Sequence, residues 1–128
     1  MIKIVLVEDD AMLAEIYQTR LNLAGYNCLV ANDGVTGLSM LEKELPDLAL
    51  LDLLLPEMSG DEILREMRKS NWGKDIKAIF LTNISESEAP EGLEDLNFER
   101  YIVKVDLQNN QLVEIVQQTL ETHQQKVK

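Results

Sequence analysis

Five short apolar runs, KIVLV (3–7), NCLVA (27–31), DLALLDLLL (47–55), KAIFL (77–81) and ERYIV (99–103), alternate with longer stretches whose apolar residues recur at helical spacing. This alternation leaves few folds open. Each run reads as a strand, and KIVLV and DLALLDLLL, apolar on successive positions, read as strands covered on both faces. Between the first two, Met12, Leu13, Ile16, Tyr17 and Leu21 line one side of a helix over 11–24, which Gly25 ends. Asn32-Asp33-Gly34 makes a turn and caps a helix with Val35, Leu38 and Leu41 on one face, closed before Pro46. A third helix follows Gly60, with Ile63, Leu64 and Met67 inward, and QLVEIVQQTL (111–120) is a closing helix. The tail QQKVK (124–128) is expected to fray, and His123 beside it to be inert. The weak stretch is SESEAPEGLEDLN (85–97), where Pro90 and Gly92 disfavour a long helix. Strands joined through helices run parallel, with helices laid on both faces of the sheet. The expected architecture is therefore α/β: a flavodoxin-like, doubly wound (βα)5 unit with a five-stranded parallel sheet, forming a single domain over residues 1–128.

Charge narrows the function classes. A formal net charge of −11 repels phosphate backbones and anionic lipid surfaces, so direct nucleic-acid binding and membrane insertion are not expected. Cations and partners with basic or apolar surfaces fit better. Cys28 is the only cysteine and reads as a small buried strand residue, which suits a reducing compartment. The N-terminal apolar run is too short for a leader or a membrane span, and the expected location is cytoplasmic.

In an open parallel sheet, sites form beyond the carboxyl ends of the strands, near the switch in strand order. There the first strand runs into Glu8 and Asp9, the third carries Asp52, the fourth ends at Thr82 and the fifth at Lys104. Two like charges about 4 Å apart repel by roughly 4 kcal/mol at an effective dielectric near 20, so gathered carboxylates need a reason. One reason is a hard divalent cation such as Mg2+, which takes oxygen ligands. A carboxylate can also be a nucleophile that forms an acyl phosphate, with a hydroxyl and an ammonium on the transferred oxygens. Taken singly, each residue has an ordinary role: Asp9 or Asp10 as a helix N-cap, Asp52 as a strand-end residue, Thr82 and Lys104 as common strand and surface residues. The coincidence of four segments carries the signal.

The set VEDD (7–10), LLDLLLPEMSG (50–60), FLTN (80–83) and YIVK (101–104) resembles the receiver domain of bacterial two-component response regulators, across essentially the whole chain. The resemblance is to the stand-alone, chemotaxis-regulator-like kind. It implies that Asp52 is the phosphoacceptor, supplied by a phosphohistidine on a sensor histidine kinase or a histidine phosphotransfer protein. It implies Mg2+ held by Glu8, Asp9, Asp52 and the backbone carbonyl of Leu54, with Lys104 on the phosphoryl oxygens. Thr82 and Tyr101 match a switch pair in which an aromatic rotamer follows the Thr; Tyr101 reads equally well as an ordinary, partly buried strand tyrosine. The protein would be a regulatory phosphoacceptor rather than an enzyme on other substrates, its response delivered to an output protein by contact.

Three places depart from the family pattern, one of them the turn before the fifth strand, where Asn97-Phe98-Glu99-Arg100 replaces a Gly-Ala-Asp-like turn. The residue after the Lys is Val105 where Pro through a cis bond is usual, and a non-proline cis bond costs about 2.5–4 kcal/mol, so the loop either is trans with a different path or carries strain. The residue after the Thr is Asn83 where a small residue is usual; its amide either meets the phosphoryl group or narrows the pocket. Asp106 adds a carboxylate that could compete for Lys104. Leu54 and Ile84, each two residues past a site residue, are expected to screen an acyl phosphate from water. The alternative reading is a degenerate receiver, a protein-interaction module that signals without phosphate. A flavodoxin-type nucleotide site is disfavoured because Glu8, Asp9 and Asp10 would repel a phosphate. An Asp-nucleophile phosphohydrolase is disfavoured by Leu54 where an acid/base carboxylate is needed.

Overall fold

Alternate residues of each apolar run face opposite sides of one sheet, and both sides are covered. The computed structural model describes the backbone of residues 1–127 and side chains through residue 121, so the expectation for His123 falls outside the described side chains, whereas the tail expected to fray is helical through Val127. The elements are β1 (Lys3–Val7), α1 (Ala11–Leu23), β2 (Asn27–Ala31), α2 (Gly34–Glu44), β3 (Leu48–Leu51), α3 (Gly60–Lys69), β4 (Lys77–Thr82), β5 (Arg100–Val103) and α4 (Gln111–Val127). The strands form a parallel sheet in the order β2-β1-β3-β4-β5. Ile4, Leu6, Leu48, Leu50, Ile79, Leu81 and Ile102 pack beneath α1 and α4. Val5, Val7, Ala49, Leu51, Ala78 and Phe80 pack beneath α2 and α3. The expected doubly wound α/β architecture is what the chain adopts.

Local sequence explains most element ends. Asp10 caps α1, accepting from the Leu13 N–H at 3.1 Å, and Gly25 turns the chain at φ +100°. Asp33 caps α2, accepting from the Thr36 N–H at 2.7 Å. Leu45 leaves α2 in the left-handed region at φ 46°, just before Pro46 bars any further turn.

Three details differ from expectation. The third apolar run is paired only over Leu48–Leu51, not through residue 55. Beyond it Pro56 and Glu57, the latter at φ 70°, reverse the chain so that the Gly60 N–H donates to the Leu53 carbonyl at 3.3 Å. The fourth crossover has no α-helix; two 3-10 turns, Glu86–Glu88 and Leu93–Leu96, flank Pro90 and Gly92. Leu93 and Leu96 are still buried on the sheet face with Phe98 packed beside them, so the apolar spacing is used without the helix. The last helix runs to Val127 rather than ending at residue 120.

Candidate functional site

Strand register sets the site. Val7 lies opposite both Ala31 and Leu51, Leu51 opposite Phe80, and Thr82 opposite Val103. The next residue of β1, β3 and β5, together with the last of β4, therefore reaches the same edge. These residues are Glu8, Asp52, Lys104 and Thr82, and the edge lies where the order switches between β1 and β3.

Lys104 is the centre of the cluster. Its Nζ donates to Asp52 Oδ2 at 2.6 Å and lies 2.5 Å from Glu8 Oε1, with the lysine side chain only 7 % exposed. Burial works to lower the Lys104 pKa, but the hydrogen bonds and charges of Asp52 and Glu8 more than offset it and hold the ammonium above its ordinary range. Asp106, exposed on the 3-10 turn Lys104–Asp106, takes no part in this network. The Lys104–Val105 peptide is trans, the first of the two alternatives the sequence left open.

The carboxylates differ in surroundings. Glu8 is fully buried; its Oε2 accepts from the Asp10 N–H at 3.1 Å, and its Oε1 lies 2.5 Å from the Lys104 ammonium. Burial raises its pKa, against the lowering effects of Lys104 and the Asp10 N–H. Asp52 is 4 % exposed, and its Oδ1 accepts from the Leu54 N–H at 3.1 Å. Asp9 is exposed at the rim. One oxygen from each of Glu8, Asp9 and Asp52 lies within 4.8 Å of the others. Three carboxylates against one ammonium leave the cluster at a formal −2, and this all-oxygen set of converging donors suits a small oxygen-seeking dication. Asp10, by contrast, is committed to its helix cap.

Thr82 is fully buried, and its Oγ1 accepts a long hydrogen bond from the Ile84 N–H at 3.4 Å. The Tyr101 hydroxyl donates to the Ile84 carbonyl at 2.7 Å, so the half-buried tyrosine holds the segment that Thr82 begins. Leu54 is 61 % exposed at the rim, whereas Ile84 packs against the core.

Some contacts were not legible in the residue types. Asn32 Nδ2 donates to the Glu8 carbonyl at 2.9 Å and so fixes the backbone that carries the acid. Its only sequence signal was the Asn-Asp-Gly turn. Lys104 reaches Glu8 as well as Asp52, which its position at a strand end did not specify. Asn83 is exposed, and its Oδ1 accepts from the Val105 N–H at 3.1 Å. Gly60 is required by close approach: a Cβ there would lie 2.1 Å from the Asp52 carbonyl oxygen, so any side chain would displace the site loop.

Comparison with known proteins places this geometry. The family described as the response regulator receiver domain matches residues 4–117. The "Probable transcriptional regulator ycf27" of Porphyridium aerugineum is 39% identical over 103 residues, covering 80% of this chain and 41% of its own length. The response regulator MprA of Mycobacterium leprae is 35% identical over 103 residues, covering 80% and 44%. The chain thus spans less than half the length of these curated relatives. Among solved structures, a CheY-like response regulator receiver domain protein from Methanospirillum hungatei superposes with a TM-score of 0.88 at 26% identity, covering 98% of both chains. The receiver domain of a Pseudomonas aeruginosa sensor histidine kinase, described with a magnesium ion coordinated in its active site cleft, gives 0.82 at 25% identity, covering 93% and 97%.

Proposed function

The chain belongs to the response regulator receiver domain family, and on that premise we propose that it is a phosphorelay receiver whose phosphoacceptor is Asp52. The observation that carries the reading is the buried ammonium of Lys104, 2.6 Å from Asp52 Oδ2 at the edge where Glu8 and Asp9 also converge. An Asp52 oxygen attacks the phosphorus of a phosphohistidine, the P–N bond breaks, and an acyl phosphate remains on Asp52. Glu8, Asp9, Asp52 and the Leu54 carbonyl are the groups that would hold Mg2+, which would supply positive charge to offset that of the transferred phosphoryl group. The Lys104 ammonium, beside Asp52 Oδ2, would stabilise the phosphoryl oxygens. The donor partner is a sensor histidine kinase or a histidine phosphotransfer protein, and the catalysis is confined to the domain's own phosphorylation and dephosphorylation. We read residues 1–128 as one receiver unit acting on an output protein from a cytoplasmic location; among the described residues no helix is long and apolar enough to cross a membrane.

The switch is local. A phosphoryl group on Asp52 draws the Thr82 hydroxyl toward it, which pulls on Ile84 and on the Tyr101 hydroxyl bonded to the Ile84 carbonyl. A two-state surface around β5 is thereby biased.

Intact mass after incubation with acetyl phosphate and Mg2+ tests the reading. One phosphoryl group is expected on the native chain, none without Mg2+, and none on Asp52→Asn. Uptake by neither acetyl phosphate nor a phosphohistidine donor would favour the phosphate-independent module instead. A second measurement concerns lifetime. Replacing Leu54 and Ile84 together with polar residues is expected to shorten the acyl-phosphate half-life about tenfold, less than the roughly 10²–10⁴-fold that a well-placed proton acceptor typically contributes. An unchanged half-life would remove these side chains from any screening role.

A further inference from the structure

Two of the departures from the family pattern, Asn83 and Val105, are the two ends of one hydrogen bond. The Val105 N–H donates to Asn83 Oδ1 at 3.1 Å. A proline at 105 would have no N–H to give, and an alanine at 83 would have no oxygen to receive it. The bond joins the residue after Thr82 to the residue after Lys104, across two separate strand ends. On its other side, the turn that carries Lys104 is closed by the Leu107 N–H donating to the Lys104 carbonyl at 3.0 Å. The Lys104 backbone is therefore held from both directions, and its ammonium lies between Asp52 and Glu8. The Val105 side chain is 76 % exposed, so its own packing does little to hold the turn.

We propose that Asn83 is a positioning residue: its amide oxygen, through the Val105 N–H, replaces proline in setting where the Lys104 ammonium sits over Asp52. The inference rests on the Asp52 reading above. It also makes the Thr82 loop and the Lys104 turn move together, since the bond spans them. The role belongs to the oxygen of the side chain, not to its NH2 group. Aspartate at 83 keeps an acceptor and alanine does not, and this separates positioning from simple bulk.

The experiment uses Asn83→Ala and Asn83→Asp in the full chain. Three quantities are read: phosphorylation rate against acetyl phosphate concentration with Mg2+, hydrogen exchange of the Val105 amide, and thermal midpoint. For Asn83→Ala the maximal rate is expected to fall about tenfold, within the up to 10²-fold that a misplaced group costs. The half-saturating donor concentration and thermal midpoint are expected to stay close to the parent's, while the Val105 amide exchanges faster. Asn83→Asp is expected to keep most of the rate and the protection. An unchanged rate in Asn83→Ala overturns the proposal. Equal slowing in both variants overturns it too, because it would assign the role to the NH2 group. A parent chain that takes no phosphoryl group would count against the Asp52 reading alone, since Val105 exchange reports the tie without any phosphodonor.

Discussion

Lys104→Met is expected to slow phosphoryl uptake by Asp52 about 10²–10³-fold, the usual loss when one preorganised donor is removed from a developing anionic centre. Methionine keeps the length and apolar stem of the side chain but removes its charge. In the native chain the ammonium lies 2.5 Å from Glu8 Oε1 and 2.6 Å from Asp52 Oδ2. Without it, two carboxylates that are 0 % and 4 % exposed face each other with no counter-charge. Breaking a buried pair in this way costs roughly 3–5 kcal/mol, and in divalent-free buffer the thermal midpoint should fall accordingly. The cluster charge passes from −2 to −3, so Mg2+ is expected to raise the midpoint of the variant more than that of the parent. Thermal unfolding with and without Mg2+, alongside rates from intact mass, gives both numbers. A rate within a few-fold of the parent would mean that Lys104 does not meet the transferred group.

Arg68→Ala is expected to destabilise the fold by about 2–4 kcal/mol without touching the site. The Arg68 guanidinium makes five hydrogen bonds, all to backbone carbonyls. Nε donates to Leu96 at 2.7 Å and Nη2 to Asn97 at 3.1 Å, while Nη1 reaches Gly73, Lys74 and Ile76 at 2.8–3.2 Å. One side chain on α3 thus ties the loop entering β4 to the end of the second 3-10 turn. A net contribution of about 1.5–3 kcal/mol per charged hydrogen bond would overshoot if summed, because several of these carbonyls can accept water once the arginine is gone. Arg68→Lys should recover little, since a point-like ammonium cannot span both loops as a planar fork does. Urea unfolding reads the change as a shift in midpoint at constant slope. A loss below about 0.5 kcal/mol would class Arg68 with ordinary surface residues.

The dependence on Arg68 follows from the fourth crossover. Where a helix would satisfy its own backbone groups, the 85–97 segment has two short 3-10 turns and leaves carbonyls for a side chain to meet. Pro90 and Gly92 disfavoured a long helix there, but nothing local pointed to its complete absence or to an arginine on α3 as its substitute.

The sequence by itself determined the layers and the chemistry. Five short apolar runs alternating with amphipathic helices specify a parallel sheet, because strands joined through helices run parallel with the helices covering both faces. Parallel strands bring their carboxyl ends to one edge, so Glu8, Asp52, Thr82 and Lys104 were legible as a group from strand ends alone. The caps at Asp10 and Asp33 were equally local, each depending on a residue and the backbone N–H three positions on. Only the tertiary structure decided that Lys104 bridges Glu8 as well as Asp52, that β3 stops at Leu51, and that Asn83 and Val105 are partners. These are contacts between residues from 22 to nearly a hundred positions apart, or the consequence of a backbone reversal at Glu57. Their geometry depends on strand register and loop path, which the whole packed chain sets and no single stretch of it encodes.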